Sequence, residues 1–228
     1  MNSNNPAVIF DKSHAENREK KLEKLAPLTD ALHLCMQFAM MNLPENAHIL
    51  CVGAGTGAEM LALARAFPNW HFTAVEPSNP MLSICREKIA EAGFEKRCIF
   101  HEGYLDSLPE TALFDAATSI LVSQFVKGDE ARTNFFKGIS ERLKENGLLI
   151  SADIAVDTED AHFTPLIKSW KEMYIYNDMP ADTFENSQQI MDIQTPEKVA
   201  SVIKAGGFQK PVLFKQTLLI HAWQTRKA

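Results

Sequence analysis

The chain has 228 residues, 46% of them hydrophobic and 23% charged, which suits one globular α/β domain. Its 23 Lys and Arg residues against 29 Asp and Glu give a net charge of −6. This balance disfavours nucleic acid as a partner, because phosphate recognition needs a basic surface. The first ten residues lack a signal-peptide pattern, and no apolar stretch approaches the ~20 residues that cross a bilayer. We therefore expect a cytoplasmic protein without a membrane segment.

The potential metal and disulfide ligands are scattered along the sequence. Cys35, Cys51, Cys85 and Cys98 have no CxxC spacing, and the seven histidines form no cluster. We expect buried, reduced thiols and no metal site.

Residues 1–45 are predicted to form a helical cap. The highly charged segment from Ser13 to Leu25 indicates a surface helix, and a more apolar helix follows from Thr29 to Met41. The sequence "NLPEN" then predicts a turn.

Strand and helix patterns alternate from residue 48 to residue 153. Five strands are predicted: His48–Val52, His71–Val75, Arg97–His101, Asp115–Ile120 and Leu148–Asp153. Three helices lie between them: Ala58–Phe67, Met81–Ala92 with Ser78 as its N-cap, and a helix that Asp129 caps and "KENG" closes. In the third helix an apolar face is expected, made of Phe135, Phe136, Ile139 and Leu143. The alternation predicts a parallel sheet with helices on both faces.

The alternation stops after the fifth strand, where residues 157–194 are predicted to form a lid insertion. Trp170, Tyr174 and Tyr176 are expected mainly to pack its helix. Thr195-Pro196 opens a further helix, and "PVLFKQTLLIHAWQ" predicts two strands joined by a tight turn at Lys215-Gln216. The whole predicts a single domain over residues 1–228. Its fold class is α/β, a Rossmann-like doubly wound sheet of seven strands with an antiparallel C-terminal hairpin.

The sequence "HILCVGAGTGAEM" places Gly53, Gly55 and Gly57 where the first strand turns into a helix. Glycines there allow a sharp turn and let a ligand approach the backbone. Glu76 ends the second strand, whose tip meets the same crevice in a doubly wound sheet, and a carboxylate there can accept both ribose hydroxyls. Loop and acid together indicate a cofactor that contains adenosine, either a nicotinamide dinucleotide or S-adenosylmethionine.

Several further segments resemble the class I S-adenosylmethionine-dependent methyltransferases over residues 46–155. They are "HILCVGAGTGAEM", "FTAVEPSNPML", "HEGYLDSLP", "FDAATSILVSQFV" and "LKENGLLISAD". The C-terminal hairpin is similar to that family's antiparallel seventh strand, which dinucleotide dehydrogenases lack. A nicotinamide dehydrogenase is thereby the lesser alternative. "SILVSQFV" and the long lid also look distantly like carboxy-S-adenosylmethionine synthases, but "DTFENSQQIMD" has no basic residue to hold an added carboxylate.

The resemblance implies a set of cofactor-binding residues. Gly53, Ala54 and Gly55 would line the methionine and ribose, and Glu76 would bind the ribose hydroxyls. The remaining implied residues are Pro77, Met81, Tyr104 and Leu105 around the adenine, Ser119 and Ile120 beneath the sulfonium, and Gln124 facing the substrate.

Two positions depart from the family pattern. Cys51 stands where the family usually has an acid, and Tyr104 stands where an Asp often accepts from the adenine amino group. Stacking by Tyr104, or a cap residue such as His14 or Glu16, is a candidate compensation. A cofactor-binding or degenerate, non-catalytic member of the fold is therefore the alternative to an enzyme.

The first functional hypothesis is methyl transfer to a small-molecule acceptor by in-line displacement. This chemistry depends on alignment and exclusion of water rather than on a triad or metal, so no catalytic residue is assigned. Residues 157–194 and the N-terminal helix are expected to form the acceptor pocket. His14 and His162 flank the site but are expected to be structural or exposed. The sequence leaves a homodimer open.

Overall fold

The computed structural model describes residues 23–110, 112–180 and 182–228. Seven strands form one sheet: β1 His48–Val52, β2 His71–Glu76, β3 Cys98–Glu102, β4 Phe114–Ile120, β5 Leu143–Ile154, β6 Val212–Thr217 and β7 Ile220–Arg226. Their order across the sheet is β3-β2-β1-β4-β5-β7-β6. The first five strands pair in parallel, and β7 runs antiparallel between β5 and β6. The predicted seven-stranded sheet with an antiparallel hairpin is confirmed.

Seven α-helices are described around the sheet: α1 Ala26–Met40, α2 Ala58–Ala66, α3 Asn79–Glu91, α4 Asp129–Glu141, α5 Thr164–Tyr176, α6 Thr183–Ile190 and α7 Pro196–Ala205. The predicted helix from Ser13 to Leu25 lies mostly outside the described residues, and its last three residues form a 3-10 turn, Glu23–Leu25. Within the described ranges no helix is long and apolar enough to cross a membrane.

The side chains of β1 divide the core into two layers. Ile49 and Cys51 pack on one face of the sheet with residues of α1, α2 and α3. Leu50 and Val52 pack on the other face with residues of α4 and α7. Because successive strand residues point to opposite faces, an uninterrupted apolar strand requires helices on both sides. This packing brings the carboxyl ends of β1, β2 and β4 side by side.

The start of α3 forms as its sequence predicts. Ser78 is the N-cap, and its Oγ accepts from the Met81 backbone N–H at 3.4 Å. Gly93 follows the helix with a φ of +77°, the left-handed conformation that often ends helices. This cap fixes the residues that follow β2 at the edge of the sheet.

The predictions around α4 and β5 were partly wrong. Gly128, not Asp129, occupies the N-cap position, and Asp129 is the first helical residue. The helix ends at Glu141, and β5 begins at Leu143, so "KENG" lies inside an irregular first part of that strand. Leu143 is fully buried and pairs with Phe114, which draws the chain into the sheet five residues earlier than its pattern suggests.

The hairpin turn was also misplaced by the sequence prediction. Lys215 and Gln216 lie within β6, and the chain reverses at Leu218 and Leu219. Leu218 has a φ of +51°. Leu219 is fully buried in an apolar cluster that includes Trp170 and Phe184. An apolar turn lacks the usual turn residues, and only burial beneath other elements explains it.

We expect Gly57→Ala to destabilise the protein more than a matched substitution at Gly93. The two glycines have similar φ values, +80° and +77°, but a Cβ at Gly57 would lie 2.5 Å from Cys85 Sγ, whereas Gly93 has nothing within 4 Å. Backbone strain should cost each variant about 1–2 kcal/mol, and overpacking should add about 1–3 kcal/mol at Gly57 alone. Urea unfolding of both variants measures the difference.

A double-mutant cycle separates the clash from the strain. Adding Cys85→Ala to Gly57→Ala should recover much of the extra loss, because the obstructing sulfur is removed. Equal destabilisation of the Gly57 and Gly93 variants would contradict the packing of Cys85 against the loop.

Candidate functional site

A cavity of about 1320 Å³ lies at the carboxyl ends of β1 to β4. It is bounded by the loops that follow these strands, by one face of α4 and by the first half of α1. Pockets for a single small ligand typically enclose about 300–1,000 Å³. The cavity is therefore large enough for a cofactor together with a second ligand.

The glycine loop forms the floor of this cavity. The N–H groups of Gly53 and Ala54 donate to the Val75 carbonyl at 2.8 and 3.2 Å, which holds the loop against the end of β2. Gly55 has a φ of +55°, and a Cβ there would meet only one side chain, the Met81 methyl group at 3.5 Å. The loop thus presents bare backbone to a ligand, as its glycines predict.

Glu76 points at the glycine loop. Its Oε2 accepts from the Gly55 N–H at 2.9 Å, and its Oε1 accepts from the Ser78 N–H at 2.9 Å. The residue is 7% exposed and lines the cavity. Since a carboxylate oxygen can accept more than one hydrogen bond, both oxygens can also accept from ligand hydroxyls. The loop and the acid meet as the sequence indicates.

An apolar and aromatic wall continues from Glu76 toward β3. Pro77, Met81, Tyr104 and Leu105 all line the cavity there. Partial burial, with the nearby Glu76 and Asp106 carboxylates, raises the pKa of the Tyr104 phenol, so it remains protonated at neutral pH. Asp106 also lines the cavity, two residues after Tyr104. Asp106 was not predicted as a site residue, although it lies within the segment "HEGYLDSLP".

Arg142 holds this wall in place and was not anticipated. Its guanidinium donates to the carbonyls of Leu105 at 3.0 Å, Leu108 at 2.6 Å and Pro109 at 3.3 Å. Three carbonyls of the loop after β3 are thereby fastened to the end of α4. No sequence motif marks this contact, because 33 to 37 residues separate its partners.

Nine of the eleven predicted cofactor-binding residues line the cavity, namely Gly53, Ala54, Gly55, Glu76, Pro77, Met81, Tyr104, Leu105 and Ile120. Ser119 is fully buried and is not among the lining residues. It precedes Ile120 in β4, and strand side chains alternate between faces, so only one of the two can face the cavity.

Gln124 is the second predicted residue outside the cavity lining. It is 2% exposed, its N–H donates to Asp153 Oδ1 at 3.0 Å, and its Oε1 accepts from the Ile154 N–H at 2.8 Å. Its side-chain amide also contacts Met191 Sδ at 3.4 Å. Gln124 therefore joins the loop after β4 to β5 and to the lid, and it is not among the residues that line the cavity.

Asp153 and Arg132 extend this buried network. Asp153 is fully buried and accepts from Ser123 Oγ at 2.8 Å. Burial raises the pKa of Asp153 to about 6, although the hydrogen bond from Ser123 and the charge of Arg132 oppose the shift. The Arg132 guanidinium, also fully buried, donates to the backbone carbonyls of Val126 and Asp192. The network fixes the loop after β4, part of which lines the cavity.

The predicted lid packs beside the cavity rather than over it. None of the described residues within 157–194 lines the cavity. Trp170, Tyr174 and Phe184 are buried together with Ile154 and Leu219, at the end of β5 and the hairpin turn. Its apolar face is used in this packing, and the contribution of the segment to an acceptor pocket stays a prediction.

The aromatic residues and histidines that the sequence singled out near the lid lie outside the cavity lining, in the described part of the chain. Trp170 and Tyr174 pack the lid as expected, whereas Tyr176 is 67% exposed. His162 is exposed, pairs with Asp160 and does not line the cavity. His14 and Glu16 lie outside the described residues.

The N-terminal helix does contribute to the cavity. Ala26, Thr29 and His33 lie on one face of α1 and line it. Burial lowers the pKa of His33, so its imidazole is neutral at neutral pH. The helix was predicted to contribute to the pocket, but His33 was not singled out because its spacing matches no motif.

Cys51 places no charge in the cavity. Its side chain is fully buried in the middle of the sheet, and burial raises the pKa of its thiol well above the usual value. The negative charge of the cavity comes from other positions. Five carboxylates line it in the described part of the chain: Glu59, Glu76, Asp106, Glu110 and Glu141. Arg142 is the lining guanidinium, and its charge is directed at the loop carbonyls. The cavity suits a ligand that carries positive charge.

Across residues 23–110, 112–180 and 182–228, no group of three or more His, Cys, Asp or Glu could hold a metal ion.

The chain is similar to known methyltransferase-domain proteins. Residues 49–147 match a family model described as a methyltransferase domain. The chain is 29% identical over 154 residues to aclacinomycin 10-hydroxylase RdmB of Streptomyces purpurascens, covering 63% of the chain and 40% of that protein. It is 28% identical over 116 residues to the malonyl-[acyl-carrier protein] O-methyltransferase of Magnetococcus marinus, covering 51% and 41%. The matches thus span less than half the length of these two relatives.

Solved structures share the fold over most of the chain. PigF with SAH superimposes with a TM-score of 0.70 at 14% identity, covering 95% of this chain and 60% of that one. The mitomycin 7-O-methyltransferase MmcR gives a TM-score of 0.63 at 17% identity, covering 89% and 54%. At these identities the likeness concerns the fold.

We expect Asp153→Asn to remove one component of the pH dependence of stability. The folded-state pKa of about 6 lies above the ordinary 3.8, so this carboxyl favours folding most when protonated and loses that contribution as pH rises through 6. A difference of ~2 pKa units corresponds to about 3 kcal/mol. Urea unfolding from pH 4 to 7 should find the wild type gaining stability relative to the variant as pH falls.

Asp182→Asn is the matched control, because Asp182 is an exposed carboxylate outside the sheet, just before α6. Its stability should stay parallel to that of the wild type across the range. Parallel curves for Asp153→Asn and the wild type would refute the raised pKa.

Proposed function

We propose that this chain is a class I S-adenosylmethionine-dependent methyltransferase and that it methylates a small molecule, since residues 49–147 match a methyltransferase domain. S-adenosylmethionine is the cofactor of that family. The observation that carries the proposal is the Glu76 carboxylate, hydrogen-bonded to the glycine loop inside a cavity larger than one ligand needs. A cavity of this size favours an acceptor that can enter the protein.

The residues present fit the cofactor. A Cβ at Gly55 would come no nearer to a side chain than 3.5 Å, at the Met81 methyl group, so the bare backbone there can approach a ligand closely. Glu76 would bind the ribose hydroxyls, and the wall of Pro77, Met81 and Tyr104 would contact the adenine. When bound, S-adenosylmethionine supplies a methyl group on a sulfonium, which is transferred by in-line displacement.

The chain's own contribution to this reaction is alignment and exclusion of water. Ile120, Leu121, Val122 and Phe125 form an apolar wall after β4, and Phe135 adds to it from α4. Such a wall orients an apolar or aromatic acceptor and keeps water from the reacting atoms. Where the acceptor must lose a proton, the neutral His33 imidazole lines the same cavity and is available as a base.

Two further observations support a small acceptor. The net charge is −6, and the lining carboxylates outnumber the lining guanidinium, which opposes nucleic acid. One structural relative is named a mitomycin 7-O-methyltransferase. A homodimer stays a prediction from the sequence.

A second candidate is a protein of the same fold that binds the cofactor without methylating. Two observations favour it: Cys51 is a buried, neutral thiol in place of the acid usual in the family, and one relative is named a hydroxylase. The two candidates differ in turnover. Cofactor binding with release of S-adenosylhomocysteine across an acceptor panel supports the enzyme, whereas binding without any release supports the second candidate.

We expect Glu76→Gln to weaken binding of S-adenosylmethionine and S-adenosylhomocysteine at least tenfold. The variant loses charge-assisted hydrogen bonds to the ribose, each worth roughly 1.5–3 kcal/mol. Isothermal titration calorimetry measures the affinity. Glu102→Gln is a matched control, since Glu102 is the register partner of Glu76 on β3 but does not line the cavity. Its affinity should equal that of the wild type.

A thermal-shift panel adds NAD and NADP to these ligands. Stabilisation by the two adenosylated sulfur compounds, with a flat response to NAD and NADP, is the expected pattern. No heat and no thermal shift with either sulfur compound, in folded wild-type protein, would refute the proposal.

A further inference from the structure

The direction of the cofactor in the site follows from where its ribose binds. Glu76 lies at the tip of β2, and the apolar wall for the adenine extends from it toward β3 through Met81 and Tyr104. A ligand whose ribose lies at Glu76 must therefore place its other end on the opposite side. That side comprises the glycine loop, the tip of β1 and the start of α2. This step rests on the proposed function.

Glu59 is the carboxylate found on that side. It lies in the first turn of α2, is only 7% exposed and lines the cavity. Burial is the main cause that raises the pKa of the Cys51 and Cys85 thiols, and the negative charge of Glu59 is the second. Glu59 therefore stands at the start of the helix that the glycine loop opens, two residues after Gly57.

Glu76 and Glu59 are placed at different points along the glycine loop. Glu76 accepts from the Gly55 N–H in the middle of the loop. Glu59 lies two residues beyond Gly57, the last glycine, in the first turn of α2. A ligand lying along the loop can thus meet Glu76 near the middle of the loop and Glu59 beyond its end.

The helix α1 encloses the Glu59 side of the cavity. Gln37 Nε2 donates to the Ala62 carbonyl at 3.3 Å, which fixes α1 beside α2. One turn earlier in each helix, His33 and Ala58 both line the cavity. This end of the site is therefore lined by both helices, and the Glu59 carboxylate is buried there, where a charge acts more strongly on a ligand than it does in water.

We propose that Glu59 binds the α-ammonium group at the methionyl end of S-adenosylmethionine. An ammonium has three donors and needs an anionic acceptor when it is removed from water. Cys51 cannot supply one, because it is a buried neutral thiol. Glu59 is a positioning residue in this role: it fixes the methionyl end and thereby the sulfonium, and it takes no part in the methyl transfer.

The test compares ligands with and without the amino-acid end. S-adenosylhomocysteine carries the α-ammonium, whereas 5′-methylthioadenosine has the same adenosine and a thioether but no amino acid. Calorimetry on the full chain should find that Glu59→Gln binds S-adenosylhomocysteine about ten- to a hundredfold more weakly, as expected for a lost charge-assisted bond. Affinity for 5′-methylthioadenosine should stay within about twofold of the wild type, which a general disturbance of the loop would not allow.

Two variants serve as controls. Glu59→Asp keeps the charge on a shorter side chain and should bind S-adenosylhomocysteine more tightly than Glu59→Gln. Glu87→Gln, an exposed acid on α3, should match the wild type with both ligands.

The outcomes separate this inference from the proposed function. Equal losses for both ligands, no loss for either, or failure of both Glu59 variants to fold would assign Glu59 to the fold and overturn the inference alone. Wild-type protein that binds none of the adenosine ligands would overturn the proposed function, and the inference would fall with it.

Discussion

The site depends on one hydrogen bond between neighbouring strand ends, from the Gly55 N–H to the Glu76 carboxylate. It joins the loop after β1 to the tip of β2, and the contacts of Gly53 and Ala54 with Val75 reinforce the junction. The bond requires parallel strands in register and a helix packed on each face, so the core is arranged around it. A buried carboxylate without these N–H donors would be costly, and with them it is a fixed acceptor inside a cavity.

Two other contacts hold the parts that this bond does not reach. Arg142 fastens the loop after β3 to α4 through three carbonyls. The buried Asp153, with Ser123 and Gln124, fastens the loop after β4 to β5. Arg142 is partly buried and Asp153 is fully buried, and a hydrogen bond matters more in such surroundings than at the surface. The loops that line the cavity are therefore held by hydrogen bonds after β1, β3 and β4, and α1 adds a further side to the lining.

The two elements added to the sheet, the segment 157–194 and the helix α1, have different roles. The segment 157–194 uses its aromatic residues to cover the end of β5 and the hairpin turn, whereas α1 supplies His33 to the cavity. The segment that looked like a lid is thus a support for the loop after β4, to which Asp192 and Met191 connect it. The N-terminal helix, with Thr29 and His33 on one face, is the described part of the chain that covers the glycine loop.

The sequence by itself determined the sheet, the glycine loop, Glu76 and most of the lining, because these follow from local periodicity, glycine spacing and the geometry of parallel strand ends. It misplaced the hairpin turn, since Leu218 and Leu219 reverse the chain only because other elements bury them. It placed Gln124 toward the substrate, although this side chain is buried outside the cavity lining, and it singled out neither Arg142 nor Glu59. Which side chains line a cavity depends on contacts between residues far apart in the chain, and those only tertiary packing decides.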